Sequence, residues 1–218
     1  MKILGFDLSA SYSSIAILSG DEINGFTQIH DIRERPAWEE LFSGVGFETP
    51  SNFEDLDAIA FANGPGSYTA LRNIATFLKP IAHIHNLPLV PVSSLKALAL
   101  VAYDFMEDPL EKIHVAVDAQ KETCYFASYV FKDGIPQNIT DEGVVDISEL
   151  YKKISGGYCV GNAWKDYHHK ITYLPEVFPH AGSVCRLASF MDLDGIQFLP
   201  VAANPIYLEP LNFKKINE

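Results

Sequence analysis

The residues most able to do chemistry are gathered at three short turns. Asn63-Gly64-Pro65-Gly66-Ser67-Tyr68-Thr69 follows an apolar run and precedes a helical pattern. A strand that feeds a glycine-rich turn and then a helix presents unpaired N–H groups and the positive end of a helix dipole, which suits an anion. The turn lacks the Gly-Lys-Ser/Thr ending of a P-loop, so no lysine reaches terminal phosphates and no hydroxyl is placed on magnesium in that manner. The same residues have a purely structural use: Gly64 and Gly66 supply unusual backbone angles, Pro65 fixes the turn, and Ser67 or Thr69 caps the helix. Asp7 and Asp118 each end an apolar run beside a polar turn, where a carboxylate could hold a metal-bound nucleotide in a cleft. Those turns, Leu8-Ser9-Ala10-Ser11 and Ala119-Gln120-Lys121-Glu122, contain no glycine, so the backbone cannot easily approach phosphate. Both aspartates could equally serve as acceptors for nearby backbone N–H groups.

Other chemistry has less support. His83 and His85 are two apart and point to different faces of a helix, His168 and His169 are adjacent, and no His-Glu-x-x-His or His-x-x-x-His pair exists. No metal site is expected. Cys124, Cys159 and Cys185 have no paired spacing and read as reduced core residues. Arg72 lies one turn into the helix after the glycine turn, placed to meet an anion or acidic partner or simply to be solvated.

The elements that must position these residues read as α/β. Lys2–Phe6, Ser14–Leu18 and Ile23–Ile29 form a three-stranded meander. Pro36 opens a helix with Trp38, Leu41, Phe42 and Val45 on one face, stopped by Gly46, and Glu48–Asp57 is loop-like. Leu56–Ala62 is a buried strand, and Leu71, Ile74, Ala75, Leu78 and Ala82 mark a helix running toward Asn86, in which Pro80 should produce a kink or end the first half. Leu89–Val92 is a strand, with Ser93-Ser94 capping the helix Leu95–Phe105. Asp108-Pro109 is the link between halves. Sliding the chain by 111 positions puts Asp7 on Asp118, Ile15 on Phe126 and Leu18 on Tyr129, so strand, aspartate, turn and strand repeat and imply two related lobes, 1–108 and 109–218. Beyond Val130 the pattern weakens to a helix at Ile147–Ile154, a strand at Tyr158–Val160 and a helix at Ser183–Met191.

Composition limits the partners. The 218 residues are 48% apolar, enough for a sizeable core, and 16 Lys and Arg against 28 Asp and Glu give a net charge of -12. Such a chain repels phosphate backbones, so any RNA would have to be gripped mainly by another protein. The N-terminal run meets Asp7 too soon for a secretory signal, and no apolar run approaches the roughly 18 residues of a spanning helix, so a cytoplasmic location is expected.

The stretch Gly64-Pro65-Gly66-Ser67-Tyr68-Thr69-Ala70-Leu71-Arg72 resembles the signature of the TsaB (YeaZ) family, in which glycine follows the threonine. The likeness extends from Ile3-Leu4-Gly5-Phe6-Asp7-Leu8-Ser9 through Leu87–Leu95, reappears at Val117-Asp118-Ala119 and around Tyr125, and is faint at Pro205-Ile206-Tyr207-Leu208. Departures are Ala70, Pro80, Glu209 where arginine is common, and a shorter helix around Trp38. The resemblance implies a two-lobed actin-like ATPase (ASKHA, ribonuclease H-like) fold with duplicated mixed-sheet subdomains. It also implies a non-catalytic subunit that pairs with a TsaD-type subunit to make N6-threonylcarbamoyladenosine beside the tRNA anticodon, with a TsaE-type ATPase in the same complex.

On that resemblance no catalytic residue and no cofactor are expected on this chain alone, and ATP or ADP belongs to the complex. Asp7, Ser9 and Asp118 would mark a vestigial nucleotide cleft. Trp38, Leu41, Phe42, Leu71, Arg72 and Ile74 would be candidates for the pairing surface, which could also close a homodimer when the partner is absent; ordinary core packing within their own domain accounts for the same stripe equally well. The rival from another class is an ATP-dependent small-molecule kinase or ATPase of the same fold. A metallopeptidase is disfavoured for want of a histidine pair.

Overall fold

A computed structural model describes residues 1–8, 12–29, 36–47, 51–106, 111–119, 121–167, 170–175 and 177–208. Ser9, the Asp108-Pro109 link, His168, His169 and Glu209 lie outside the described residues.

The first sheet is built from β1 (Lys2–Asp7), β2 (Tyr12–Ser19), β3 (Glu22–Ile29), β4 (Ala58–Gly64) and β5 (Leu89–Ser93) in the order β3-β2-β1-β4-β5. β1 runs antiparallel to β2 and parallel to β4, and β4 runs parallel to β5. Every residue of β4 is buried, as expected of a central strand covered on both faces, which is why it reads as an unbroken apolar run. The second sheet contains β6 (Ile113–Asp118), β7 (Thr123–Lys132), β8 (Ile135–Asn138), β9 (Gly143–Asp146), β10 (Tyr158–Val160) and β11 (Thr172–Leu174). Its order is β11-β10-β6-β7-β8, with β9 also on β7. Both sheets therefore carry a central strand flanked by an antiparallel hairpin on one side and two parallel strands on the other. This repeat is the two-lobed actin-like, ribonuclease H-like architecture.

Among the described residues five helices layer the sheets: α1 (Trp38–Gly44), α2 (Tyr68–Ile84), α3 (Ser94–Tyr103), α4 (Ile147–Leu150) and α5 (Ala181–Ser189). α1 and α2 cover the outer face of the first sheet around Leu4, Phe6, Ile15, Ile59 and Phe61. α3 and α5 cover its other face, packing on Ile3, Ala16, Ala58, Ala60 and Val90. The opposite side of α3, through Leu95, Leu98, Ala99 and Ala102, packs on Ile113, Val115, Ala127 and Tyr129 of the second sheet. The i, i+3, i+4, i+7 spacing of those four residues is one helical face. α4 and a 3-10 turn at Asn162–Tyr167 close the far side over Ala116, Phe126 and Cys159.

Two local expectations are corrected. α2 does not end at Pro80: Pro80 and Thr76, whose carbonyl loses its donor, both lie on the solvent side, so the helix continues to Ile84 without burying an unpaired carbonyl. Ser51–Asp55, read as loop, forms a 3-10 turn that buries Phe53. Ser93 caps α3 as expected, accepting from the Lys96 N–H at 3.2 Å.

His114 is a buried polar tie in the second lobe, only 3% exposed. Nε2 lies 2.9 Å from the Gly156 carbonyl and Nδ1 2.7 Å from the Ser128 hydroxyl. A carbonyl can only accept, so Nε2 carries the proton and Nδ1 accepts from Ser128. Burial holds the His114 pKa below its ordinary value, opposed by the Gly156 bond and reinforced by Lys112. In the unfolded chain this ring takes up a proton that the folded chain refuses. Its contribution is complete above the free imidazole pKa of about 6.5 and is lost as pH falls below it. Urea titrations between pH 7.5 and 5 should show stability falling with pH, with a shallower fall in His114→Gln. An equal slope in that variant would rule out His114 as a source.

Candidate functional site

The glycine-proline turn is covered by the chain's own C-terminal segment. The Ile206 N–H donates to the Asn63 carbonyl at 2.8 Å, and Asn63 Nδ2 donates to the Asn204 carbonyl at 3.3 Å. Lys79 Nζ on α2 donates to Asn204 Oδ1 at 2.7 Å, the Tyr68 and Tyr207 rings lie 4.9 Å apart, and Ala203 is fully buried in the first core. Gly64 has φ +117°, and a Cβ there would sit 2.7 Å from the Ile206 carbonyl oxygen, so both conformation and space demand glycine. Pro65 is buried and Gly66 half-buried, while Ser67, Tyr68 and Thr69 are exposed. Ser67 occupies the N-cap position of α2 but makes no side-chain cap bond; its carbonyl accepts from Leu71 N–H at 2.9 Å to start the helix. The capping role given to Ser67 is thus corrected to a backbone one.

The six residues expected at a partner surface divide sharply. Leu41, Leu71 and Ile74 are at most 1% exposed and Phe42 is 9% exposed; Leu41, Phe42 and Ile74 belong to the first core, and Leu71 lies against Gly64. Trp38 stacks on Phe77 at 3.9 Å and meets the edge of Phe6 at 6.2 Å, so part of its ring is spent inside the domain. An apolar stripe at helical spacing was serving its own core. Arg72 alone is exposed, its Nη1 donating to Tyr68 OH at 2.6 Å and its guanidinium 5.3 Å from that ring's centroid. The accessible strip of α2 is Tyr68, Arg72, Thr76 and Lys79, bordered by Asn204 and Tyr207. Lys79 and Tyr207 were missed, although Tyr68, Arg72, Thr76 and Lys79 recur at helical spacing opposite the apolar face. Neither Arg72 nor Lys79 is in an ion pair among the described residues.

The two aspartates take different faces of their sheets. On β1, Asp7 alternates onto the face of Ile3 and Gly5, the side covered by α5, where a Cβ on Gly5 would strike Cys185 Sγ. On β6, Asp118 alternates onto the face of Ala116, the far side of the second sheet. Matching outer faces aligns the Phe6–Ile15 pair with Ala116–Phe126, so Asp7 corresponds to Val117. The 111-residue shift therefore holds for Ile15 and Leu18 on the second strand but not for Asp7, because the second hairpin is longer by one residue in this alignment. Asp118 instead presents its N–H to Asn162 Oδ1 at 2.8 Å, and its charge adds to burial in pushing the Cys124 thiol up to about 11. Burial pushes Cys159 and Cys185 up to about 12, so none of the three buried thiols is an activated nucleophile. Among the described residues no three His, Cys, Asp or Glu side chains converge as metal ligands.

A cavity of about 270 Å³ does open between the lobes, at the carboxyl ends of β4, β5, β6, β10 and β11. This is where open α/β sheets place ligands. Its wall includes Tyr12, Pro65, Ser94, Val117, Tyr173 and Phe178, and neither Asp7 nor Asp118 lines it.

Comparison with known proteins then adds the following. Residues 30–188 match the family TsaD, described as tRNA N6-adenosine threonylcarbamoyltransferase. The chain is 26% identical to the tRNA threonylcarbamoyladenosine biosynthesis protein TsaB of Haemophilus influenzae, across 99% of this chain and 97% of that protein. It is 32% identical to the Bacillus subtilis TsaB across 70% of this chain and 67% of that one. Among solved structures, a Pseudomonas aeruginosa protein described as similar to peptidase YeaZ superposes with a TM-score of 0.79 at 24% identity, covering 95% of this chain and 99% of its own.

Gly64→Ala should cost about 1–3 kcal/mol from the backbone angle alone. The Cβ should also push Ile206 off Asn63. Urea titration measures the first effect and hydrogen exchange at the Ile206 amide the second; unchanged protection of that amide would contradict the proposed clamp.

Proposed function

The chain belongs to the TsaB (YeaZ) family of tRNA threonylcarbamoyladenosine biosynthesis proteins, and on that premise we propose that it is the non-catalytic member of a pair, acting by docking on a TsaD-type subunit that performs the transfer to tRNA. The observation that carries this reading is the separation of Asp7 and Asp118 onto non-equivalent faces of their sheets. A phosphate-handling cleft of this architecture would need carboxylates facing one another across it. Here Val117 takes the position matching Asp7, so the second lobe has no carboxylate at the equivalent place, which counts against a kinase or ATPase reading.

The docking face in this proposal is the exposed strip of α2 with its tyrosine–arginine pair, next to the half-buried Trp38 of α1. Tyrosine and arginine dominate the energetic centres of protein interfaces. Arg72 is already oriented by Tyr68, so less freedom is lost when it meets an acidic partner group. The same strip could close a homodimer of the isolated chain. The division of the chain into lobes at 1–108 and 109–218 belongs to this proposal too, with α5 and residues 203–208 returning to the first lobe.

A TsaE-type ATPase and tRNA would be reached through the complex, because the net charge of -12 opposes direct binding to phosphate backbones. ATP or ADP would enter with the complex. Among the described residues no helix is long and apolar enough to cross a membrane, and the tRNA substrate of the pathway fits a cytoplasmic setting.

Reconstituted transfer of the threonylcarbamoyl group to tRNA, with the TsaD-type and TsaE-type proteins of the same organism, should require this chain. Full activity without it would end the proposal, as would micromolar Mg-ATP binding and hydrolysis by the chain alone. Arg72→Glu should weaken pairing with the TsaD-type subunit at least about tenfold. The isolated variant should keep its melting temperature, since Arg72 lies at the surface.

A further inference from the structure

At the end of α2 away from the glycine-proline turn lies an open groove of about 440 Å³. One wall is the last turn of the helix and its exit, with Ala82, His83 and Asn86; the other is the 193–200 segment, with Leu193, Ile196 and Leu199. The buried Leu87 and Phe198 line it between the two walls. Ile196 is 80% exposed and Leu199 53%, and Ile84 and Val201, each next in sequence to a lining residue, are 72% and 79% exposed. Single exposed aliphatics are ordinary, whereas several gathered around one groove mark a surface that gains by being covered.

The charge around the groove narrows what covers it. Asp194 lines it, Asp192 is two residues away, and Glu54 stands in the 3-10 turn whose Phe53 stacks on His85 at the end of α2. All three carboxylates are exposed, and none is in an ion pair among the described residues. The C-terminal end of the α2 dipole adds negative potential, and no lysine or arginine lines the groove. An apolar bottom with a negative rim favours apolar residues flanked by cations, and it is repelled by an anionic membrane surface.

The neighbouring sheet edge is closed to an added strand. β5 is the edge strand, its Pro91 has no N–H to donate, and the Ile196–Phe198 turn packs against it. A groove between a helix end and a loop, with no strand pairing on offer, suits side chains that recur along one face of a helix.

We propose that this groove docks an amphipathic helix of a partner protein, its apolar face on Leu193, Ile196 and Leu199 and its Lys or Arg residues toward Asp192, Asp194 and Glu54. The groove begins beyond the Lys79 end of the α2 strip, and the inference stands whether or not that strip meets a TsaD-type subunit.

The test titrates the full chain with a synthetic helical peptide of Leu, Ala and Lys, about five turns long, with leucines on one face and lysines flanking them. The methyl resonances of Leu193, Ile196, Leu199 and Val201 are followed by NMR. Saturable shifts centred on those methyls are expected. Ile196→Asp, a change at an exposed side chain that spares the core, should weaken the peptide at least about fivefold, and Asp194→Lys should do so comparably by reversing a rim charge. A scrambled peptide of the same composition, with no apolar face, should give no saturable shift. Equal binding of the scrambled peptide, shifts centred elsewhere, or full affinity in both variants would overturn the proposal. So would movement of the same methyls on diluting the chain alone, which would make the occupant a second copy, or on removing residues 209–218, which would make it the chain's own segment. Co-elution with the TsaD-type subunit reads the strip separately and should persist in Ile196→Asp, so failure here and failure of the docking reading are distinguishable.

Discussion

Everything in the molecule depends on α3 being buried on nearly all sides. Eight of its ten residues, from Ser94 to Ala102, are buried, and one helix thereby serves two cores. Ala97 and Leu100 face α5 and the first sheet, while Leu95, Leu98, Ala99 and Ala102 face the second. The alanines allow close approach, and the leucines supply most of the apolar area removed from water. Packing on both sides of α3 thus sets the orientation of the lobes. The cap reinforces this, since Ser93 ends a strand of the first sheet while Glu142, between β8 and β9, accepts from both Ser93 and the fully buried Tyr129. The buried tyrosine hydroxyl of the second lobe is thus satisfied by the carboxylate that also holds the start of α3. Because the first turn of α3 opens on the cavity, whatever occupies that space bears on the element that joins the lobes.

The glycine-proline turn illustrates how a phosphate-like motif can be put to structural use. A phosphate cradle needs unpaired N–H groups and open space above them. Here the space over Gly64 belongs to the Ile206 carbonyl, and the backbone of Asn63 is committed to Ile206. The result is a clamp that ties residues 203–207 to the base of α2, with Lys79 and Tyr68 as further anchors. Docking that segment costs conformational entropy, offset by burial of Ala203 and by the hydrogen bonds at Asn63 and Lys79. It also defines one edge of the α2 strip.

Most of the first lobe was legible in the sequence because its signals are physical constraints with a period. β1, β2 and β4 are buried on both faces and read as apolar runs; α2 and α3 carry apolar residues at helical spacing. β8, β9 and β11 were not legible, since strands of three or four partly exposed residues leave no periodic trace. The apolar stripe of α1 and α2 was ambiguous between docking and core packing for a related reason. Apolar periodicity reports burial without naming what buries it, and Leu41 and Ile74 are buried in the core of their own lobe. The polar periodicity of the opposite face was the better guide to an open surface. The aspartate pairing failed on parity. A shift of one residue leaves a sequence alignment almost unchanged but moves a strand side chain to the other face of its sheet. Only the pairing of Phe6 with Ile15 and of Ala116 with Phe126 reveals which face each aspartate takes.

That parity also bears on how the molecule can be acidic and still selective. With a net charge of -12, long-range electrostatics steers it away from polyanions and toward basic surfaces. Such a field is screened over about 8–10 Å at physiological salt, so it cannot select a geometry. Selection requires a short-range feature that departs from the average, and the α2 strip is one. Arg72 and Lys79 are two cations without acidic partners among the described residues, held by Tyr68 and Asn204. A basic partner surface drawn in by the overall charge, carrying acidic groups spaced to meet this strip, would satisfy both the field and the contact. If the strip is the docking face, a uniformly basic surface would be attracted overall but repelled there, and the strip would reject partners that the net charge alone would accept.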